Sequence, residues 1–494
     1  MKSKIVKRVL AASLATVMTA SLAACGSDKP ADASASSDDA ATDASTDAAT
    51  DESTDASTES SVEDLGAYTI RTDANGNTVD LGGIEVIIRD WFTPGDGTRP
   101  EAEDAYNEAR NEYLDWAEET YNFTVKQMTI SDWASTPQDF ADYATLGGDE
   151  YYIFTLRQCA EAFAAMNSGL MYDVASLGVF DFSEKKWQGH GVQDVYSIGD
   201  AVYCFRGMEP EPRGGLYFNK RLLSEAGINP QQIYDWQESG EWTWAKFEEV
   251  CSQVQADTDN DGVIDRFGMA NFSSDFFPIA VYSNNADFVK RIDGKFVNTV
   301  ESEETLEALN WALDMWDKYD AHVAYPEDAA WDYWNTAYST GMAVFNVAEC
   351  YKAGQFNDMG MEDDFGFVCF PKGPKATDYT NCLNDNIFAI PACYDADKAW
   401  KCAFVYDIFT EPIPGFEDYS GYKSSYYSSM RDTESVDLTV NRMLSNGRMT
   451  FHTIVPGFDI GAGLIWAINK DNTPAQQAEA MRDTWNAYID EANK

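Results

Sequence analysis

The chain is 494 residues long, enough for more than one hydrophobic core, and its formal net charge at pH 7 is −48. Such a negative charge opposes binding to nucleic acid and adsorption to an anionic bilayer. The nine cysteines include no C-x-x-C pair, which excludes a zinc ribbon. Cys382 and Cys393 form the pair nearest to a hairpin, but the apolar neighbours of most cysteines favour buried free thiols.

Residues 1–24 have the pattern of a bacterial export signal. Basic residues near the start precede an apolar run from Val9 to Ala20. Leu22-Ala23-Ala24-Cys25 then resembles a lipobox, which implies cleavage before Cys25, a lipid such as palmitate on its thiol, and anchoring at the extracellular face of the cell membrane. The alternative is an ordinary secretory signal with a chance cysteine. Residues 25–66, rich in Asp, Ala, Ser and Thr, predict an acidic disordered linker.

The first folded segment alternates strands with a helix. Apolar runs predict strands over 84–88, 124–128 and 151–156, and a helix-spaced apolar face predicts a helix over 101–121. This order predicts a parallel sheet with right-handed crossovers. Polar residues follow these strands at their carboxyl ends, which is the edge where open α/β sheets bind ligands.

Polar residues at four positions predict where later helices begin. Asn219, Thr243 and Ser302 each precede a helix-spaced apolar run, so each is expected to cap a helix. Thr473-Pro474-Ala475-Gln476 has the pattern of a capping box with proline at the first helical position, and it predicts the start of the last helix.

The stretch from residue 215 to 270 carries the most specific pattern. A short apolar strand is followed by two capped helices and an acidic loop. The order of these motifs resembles that in the family 1 extracellular solute-binding proteins of ABC importers, and the chain is similar to the maltose- and oligosaccharide-binding members. The matching motifs are Phe218-Asn219-Lys220, Glu225-Ala226-Gly227, Trp242-Thr243-Trp244 and the loop 257–268.

The resemblance implies a fold and a division of the chain. The expected fold is α/β, two-lobed and periplasmic-binding-protein-like (type II), with a mainly parallel sheet flanked by helices in each lobe and with hinge strands between the lobes. The approximate division places the first lobe at 67–208 and 385–440, and the second lobe at 209–384 and 441–494.

The resemblance also implies a function. We expect a monomeric, lipid-anchored subunit that captures an extracellular carbohydrate or oligosaccharide and delivers it to the transmembrane subunits of an ABC permease. A non-sugar solute is the alternative within this class. A surface glycan-degrading enzyme is the alternative from another class, but the three histidines are far apart and the sequence has no G-x-S-x-G or P-loop motif.

Candidate ligand-binding residues lie at predicted strand ends, in loops and at the lobe crossing. Carboxylates and arginines there could bind hydroxyl groups, and aromatic rings could pack on the apolar faces of sugars. Tyr351 also matches the position of an aromatic stacking residue in the family. The candidates are Asp90, Trp91, Arg157, Glu211, Arg213, Glu349, Tyr351 and Trp466.

The acidic loop has two interpretations. Asp257, Asp259, Asp261 and Asp265 match the first positions of a calcium-binding loop, but Gly268 stands where an EF-hand has its bidentate glutamate. The alternative is a turn that ends one helix and begins a strand. No cofactor is expected to be required, and structural calcium remains an open expectation.

Overall fold

The computed structural model describes residues 68–188, 191–208, 210–383, 386–417 and 421–494. Cys25 and the predicted signal and linker segments lie outside these ranges, so the predictions made for them stay predictions. Within the described ranges, no helix combines the length and the apolar character needed to cross a membrane.

The described chain alternates helices and strands. The α-helices are α1 Ala105–Tyr121, α2 Thr136–Leu146, α3 Ala160–Asn167, α4 Val192–Val195, α5 Lys220–Glu225, α6 Gln231–Ser239, α7 Trp244–Val254, α8 Ser273–Ser283, α9 Glu303–Tyr319, α10 Tyr333–Ser339, α11 Lys352–Asp358, α12 Ala396–Phe409, α13 Gly421–Ser429, α14 Asn441–Asn446 and α15 Pro474–Ala492. The strands are β1 Ile84–Asp90, β2 Phe123–Thr129, β3 Tyr151–Arg157, β4 Ser197–Ile198, β5 Ala201–Val202, β6 Pro212–Arg213, β7 Gly215–Asn219, β8 Phe267–Met269, β9 Val289–Ile292, β10 Lys295–Asn298, β11 Ala343–Ala348, β12 Phe365–Cys369, β13 Asn381–Leu383, β14 Asn386–Ala389 and β15 Gly447–Arg448.

The four predicted helix caps are confirmed. Asn219 accepts a hydrogen bond from the backbone of Leu222, and Thr243 and Ser302 cap α7 and α9 in the same way. Thr473 and Gln476 form the reciprocal hydrogen bonds of a capping box at α15. These side chains satisfy backbone N–H groups that have no partner within the helix, which explains why the helices begin at these residues.

The sheet of the first lobe has the strand order β14-β3-β1-β2. β1 is parallel to β2 and β3, as the β-α-β pattern predicts, and β14 pairs antiparallel with β3. Because the three parallel strands end at the same edge, the loops after Asp90, Thr129 and Arg157 lie along one side of the lobe.

The sheet of the second lobe has the strand order β12-β7-β11-β8 and differs from the predicted mainly parallel arrangement. β7 is antiparallel to both β11 and β12, and only β11 and β8 are parallel. The reason lies in the connection between the lobes: β7 runs away from the crossing, whereas β12 runs back towards it.

A small sheet of three short strands joins the lobes. β13 pairs antiparallel with β6 and parallel with β15, so two of the connections between the lobes lie side by side. The first, through β6, leads into β7, and the second, through β13, leads from β12 towards β14. β15 follows α14 and leads into the C-terminal part. This sheet is the hinge, and its short strands confirm the predicted joining of two lobes.

The C-terminal lobe boundary differs from the one drawn at residue 440. The hydroxyl of Tyr234 donates to Asp432 at 2.8 Å, and the backbone of Phe367 in β12 donates to Ser435 at 2.9 Å. The second lobe therefore already holds the chain at Asp432. The π-helical turn Ser435–Val440 continues directly into α14, which explains why no break occurs at 440.

Candidate functional site

A cavity of about 730 Å³ lies between the two lobes. Its walls come from four parts of the chain: the carboxyl edge of the first sheet, the hinge, the second lobe and the segment 450–466. The residues that line it include Trp133, Arg157, Gln158, Arg213, Ser274, Asp275, Tyr282, Glu349, Thr450, His452, Thr453 and Trp466.

One face of α8 forms much of the second-lobe wall. Ser274, Asp275, Pro278, Ile279 and Tyr282 all line the cavity, and their helical spacing places them on a single side of the helix. α8 follows β8, and Glu349 follows β11, which is parallel to β8. The second-lobe wall therefore lies at the carboxyl edge of two parallel strands, which is where open α/β sheets bind ligands.

The first-lobe wall carries a cation stacked on an exposed indole. The guanidinium carbon of Arg157 lies 4.4 Å from the centre of the Trp133 ring, and 56% of Trp133 is exposed. The Nε atom of Arg157 is buried without a hydrogen-bond partner among the described residues. An arginine held in this way can donate to a ligand at little further cost in side-chain entropy.

Segment 450–466 closes the third side and connects the lobes. The amide of Gln158 donates to the carbonyl oxygen of Thr450 and to the hydroxyl of Thr453. The hydroxyl oxygen of Tyr282 and Nδ1 of His452 lie 3.2 Å apart. Burial lowers the pKa of His452 to about 4, so at neutral pH its ring is uncharged.

Two carboxylates lie in the second-lobe wall. Asp275 and Glu349 are half-buried, and both line the cavity. Burial and the negative charge of Glu349 raise the pKa of Asp275 to about 8, while Arg213 and Lys352 act in the opposite direction. This wall therefore holds one carboxyl group, Asp275, that keeps its proton at neutral pH.

Four of the eight sequence-predicted ligand residues line this cavity: Arg157, Arg213, Glu349 and Trp466. Trp466 is 64% exposed, and its indole N–H donates to the hydroxyl of Ser274 at 3.2 Å. The indole is thus held in place while most of its surface remains accessible. The structure brings these four together, and their contact with a ligand stays a prediction.

The structure places Asp90 and Trp91 away from the cavity wall. Asp90 is fully buried, and its carboxylate accepts from the backbone of Phe92 and Thr93 and from the side chain of Gln127 at 2.9–3.1 Å. It therefore shapes the turn after β1. The Trp91 ring packs edge-on against Phe92 at 5.5 Å.

Glu211 and Tyr351 also lie outside the cavity wall. Glu211 is buried and accepts a hydrogen bond from the backbone N–H of Tyr351 at 3.1 Å. Tyr351 is 43% exposed and begins α11. This hydrogen bond joins Glu211 to the turn that follows Glu349.

The acidic loop brings three of its four predicted ligands together. Ligand atoms of Asp257, Asp259 and Asp265 all lie within 4.8 Å of one another. Asp261 instead accepts a hydrogen bond from the backbone of Val263 at 2.8 Å. Backbone N–H groups of the loop donate to the other three carboxylates. Carboxylate oxygens suit calcium, but these hydrogen bonds are also those of an Asp-rich turn.

Several residues of the cavity lie outside the positions that the sequence predicts for ligand binding. Trp133, Asp275, Tyr282 and His452 line it, yet none of them lies at a predicted strand end. Trp133 follows β2 by four residues, so the rule that ligands bind beyond strand ends could have pointed to it. The position of α8 and of segment 450–466 depends on packing that no local pattern specifies.

Solved structures of solute-binding proteins share the two-lobed α/β fold of this chain. A cyclic α-maltosyl-1,6-maltose binding protein from Arthrobacter globiformis matches with a TM-score of 0.58 and 14% identity, covering 83% of this chain and 100% of its own. UgpB from Mycobacterium tuberculosis, in complex with glycerophosphocholine, matches with a TM-score of 0.57 and 17% identity, covering 83% and 99%.

A third structure, the ABC substrate-binding protein Lmo0181 from Listeria monocytogenes in complex with cycloalternan, matches with a TM-score of 0.55 and 15% identity over 82% of this chain and 98% of its own. At these identities the likeness shows a shared fold. No protein-family model matches the chain, and no curated protein matches it.

Proposed function

We propose that this protein is the substrate-binding component of an ABC importer and that its solute is a carbohydrate. The observation that carries the proposal is the cavity of about 730 Å³ between two hinged lobes. Its volume lies within the range of about 300–1,000 Å³ typical of small-molecule sites. Closing two lobes around a hinge is a known way to enclose a solute.

The chemistry of the walls favours a saccharide. Trp133 and Trp466 are more than half exposed and line the cavity from different lobes, so each can pack on the apolar face of a sugar ring. Arg157 and Gln158 supply donors for hydroxyl oxygens, and Glu349 supplies an acceptor for hydroxyl protons. The cycloalternan complex of Lmo0181 and the cyclic α-maltosyl-1,6-maltose binding protein, which share this fold, support the proposal.

Capture fits the site better than catalysis does. Glycosidases place two carboxyl groups on either side of the bond that they cleave. Asp275 and Glu349 belong to the same wall, at the edge of the second sheet. Glu161 and Asp459 also line the cavity, so no pair of carboxyl groups is singled out. The similar structures from Listeria monocytogenes and Arthrobacter globiformis are also those of binding proteins.

The proposed location rests on the sequence. The Leu22-Ala23-Ala24-Cys25 pattern supports a lipid anchor on Cys25 at the extracellular face of the membrane. The closed, liganded form would then deliver its solute to the transmembrane subunits of a permease. Structural calcium in the acidic loop is a further proposal, supported by the grouping of Asp257, Asp259 and Asp265.

A calorimetric screen tests the proposed function. The purified protein would be titrated with neutral mono- and oligosaccharides, with amino sugars and with non-sugar solutes, and each mixture would be analysed for products. Binding of a saccharide at one site without turnover would support capture. Product formation would support the enzyme alternative, and binding of only a non-sugar solute would replace the carbohydrate.

A further inference from the structure

We propose that His452 is a specificity-determining residue of the cavity and that its Nε2–H group donates a hydrogen bond to an oxygen atom of the captured saccharide. This inference rests on the proposed function and adds one named contact to it. The imidazole ring belongs to the wall formed by segment 450–466, and each of its two nitrogen atoms has a defined setting.

The Nδ1 atom of His452 accepts a hydrogen bond from Tyr282. The hydroxyl oxygen of Tyr282 lies 3.2 Å from Nδ1, and only 2% of Tyr282 is exposed. Burial raises the pKa of Tyr282, whereas a hydrogen bond from Thr450 lowers it, which is the effect of a donor to the phenol oxygen. Because Thr450 donates to this oxygen, the phenol proton has one acceptor among the described residues, Nδ1 of His452.

This arrangement sets the tautomer of the imidazole. Burial lowers the pKa of His452 to about 4, and the negative charge of Asp459 acts in the opposite direction, so the ring carries a single proton at neutral pH. Because Nδ1 accepts from Tyr282, that proton resides on Nε2, which is therefore a donor and not an acceptor. The opposite tautomer would leave the phenol proton of the buried Tyr282 without a partner.

The Nε2 atom remains open to the cavity. It has no hydrogen-bond partner among the described residues, and it is not sealed from solvent. Since His452 is half-buried and lines the cavity, this accessible donor opens onto the space between the lobes. The ring also packs edge to face with Phe288, with 5.5 Å between the ring centres, and this contact restricts its rotation.

Contacts with both lobes hold the segment that carries this donor. Gln158, just after the last parallel strand of the first sheet, donates to the carbonyl oxygen of Thr450 and to the hydroxyl of Thr453. Tyr282 belongs to α8 in the second lobe. A donor that is fixed before the ligand arrives loses little side-chain freedom on binding. This wall therefore selects a hydroxyl, ether or carbonyl oxygen over a group that can only donate, such as an ammonium group.

Nuclear magnetic resonance tests the tautomer without any ligand. The chain has three histidines, so protein that contains isotopically labelled histidine gives few ring signals, and His452→Gln identifies those of His452. We expect His452 to be protonated on Nε2 alone both at about pH 6 and at about pH 7.5. His322 provides an internal contrast because its Nδ1 lies 3.1 Å from the carboxylate of Asp320 and is expected to donate to it. A proton on Nδ1 of His452, or a second proton on its ring at the lower pH, would overturn the proposal.

Two substitutions test the contact with the saccharide. The amide nitrogen of a glutamine can take the place of Nε2, whereas the shorter asparagine side chain reaches only the position of Nδ1. The probe is maltotetraose, cellotetraose or β-1,4-mannotetraose, whichever binds the parent most tightly. Calorimetry should show that His452→Asn binds this probe about 3- to 10-fold more weakly than the parent, the scale of a hydrogen bond between uncharged groups. His452→Gln should bind nearly as tightly as the parent.

Matched measurements separate this contact from a structural role. His322→Asn makes the same change outside the cavity wall and should bind the probe as the parent does. Tyr282→Phe removes the hydroxyl that donates to Nδ1, so it should move the Nδ1 signal of His452 and weaken binding less than His452→Asn does. Each variant is first compared with the parent by thermal melting. In the parent itself, the probe should shift the Nε2 signal of His452 and leave the signals of His322 unchanged.

The outcomes distinguish this inference from the proposed function. If the probe binds but leaves the Nε2 signal of His452 unchanged, or if His452→Asn binds it as the parent does, the donor role fails and saccharide capture stands. If none of the three tetrasaccharides binds, the inference fails. The proposed function fails with it only when the full screen yields a non-sugar solute alone.

Discussion

Replacing Trp466 by alanine should weaken binding of the best saccharide from the screen. The indole is 64% exposed, lines the cavity and is oriented by its hydrogen bond to Ser274. A side chain of this kind can cover one face of a sugar ring. Because most of its surface faces solvent, its removal should leave the fold intact, with a change in unfolding free energy of about 1 kcal/mol or less.

The magnitude follows from the exposed area. An aromatic side chain of roughly 150–250 Å² that is 64% exposed presents about 100–160 Å² to solvent. A ligand that packs on one face covers about half of this area. At about 25 cal/mol per Å², the lost contact corresponds to about 1–2 kcal/mol, or about a 5- to 30-fold weaker affinity. Trp133→Ala should have a similar effect because Trp133 is 56% exposed in the opposite wall.

Trp331→Ala provides the matched control. Trp331 is 80% exposed and belongs to the second lobe, but it does not line the cavity. Calorimetric titrations of the three alanine variants, each first compared with the parent by thermal melting, should show weaker binding only for Trp133→Ala and Trp466→Ala. If both of these bind as the parent does, or if Trp331→Ala weakens binding as much as they do, the cavity is not the saccharide site.

Burial and Glu349 raise the pKa of Asp275 to about 8. Because the folded state favours the protonated carboxyl group, the contribution of Asp275 to folding stability is complete below about pH 4 and is lost as the pH rises to about 8. The melting temperature of Asp275→Asn relative to the parent should therefore increase from pH 4 to pH 8, and a constant difference would contradict the assignment. If the acidic loop binds calcium, a chelator should lower the melting temperature and added calcium should restore it. A melting curve that does not change with calcium concentration would leave only the turn interpretation. Cys25→Ser should prevent lipid labelling and release the protein from the membrane fraction, and an unchanged labelled protein would refute the lipobox. Small-angle scattering should show a smaller radius of gyration with a confirmed ligand than without it, and identical curves would count against a closing cleft.

Local patterns in the sequence determined much of the fold. The caps at Asn219, Thr243, Ser302 and Thr473 were predictable because each acts within three residues of itself. The strands of the first sheet were predictable from apolar runs. The antiparallel direction of β7 was not, because it depends on how the chain crosses between lobes.

The candidate site likewise contains some residues that local sequence patterns predict and others that they do not. Arg157 and Glu349 lie at or just after strand ends, and such positions can be recognised from neighbouring residues. Asp90 has the same setting, but the turn that follows uses its carboxylate. Asp275 and His452 could not be found locally. Gln158 and Thr450, which meet beside the cavity, are 292 residues apart in the chain.

The buried thiols affect how this protein would fold after export. The eight cysteines of the described chain are free, and six of them are buried. Burial raises the pKa of Cys204, Cys251 and Cys350, which suppresses the reactive thiolate form. The six buried thiols should therefore resist oxidants in the folded protein, whereas Cys393 is exposed and the unfolded chain exposes every thiol. Refolding in an oxidising buffer should trap disulfide-linked chains, and the same buffer should leave the six buried thiols of the folded protein unchanged, so in an oxidising compartment rapid folding would itself protect them.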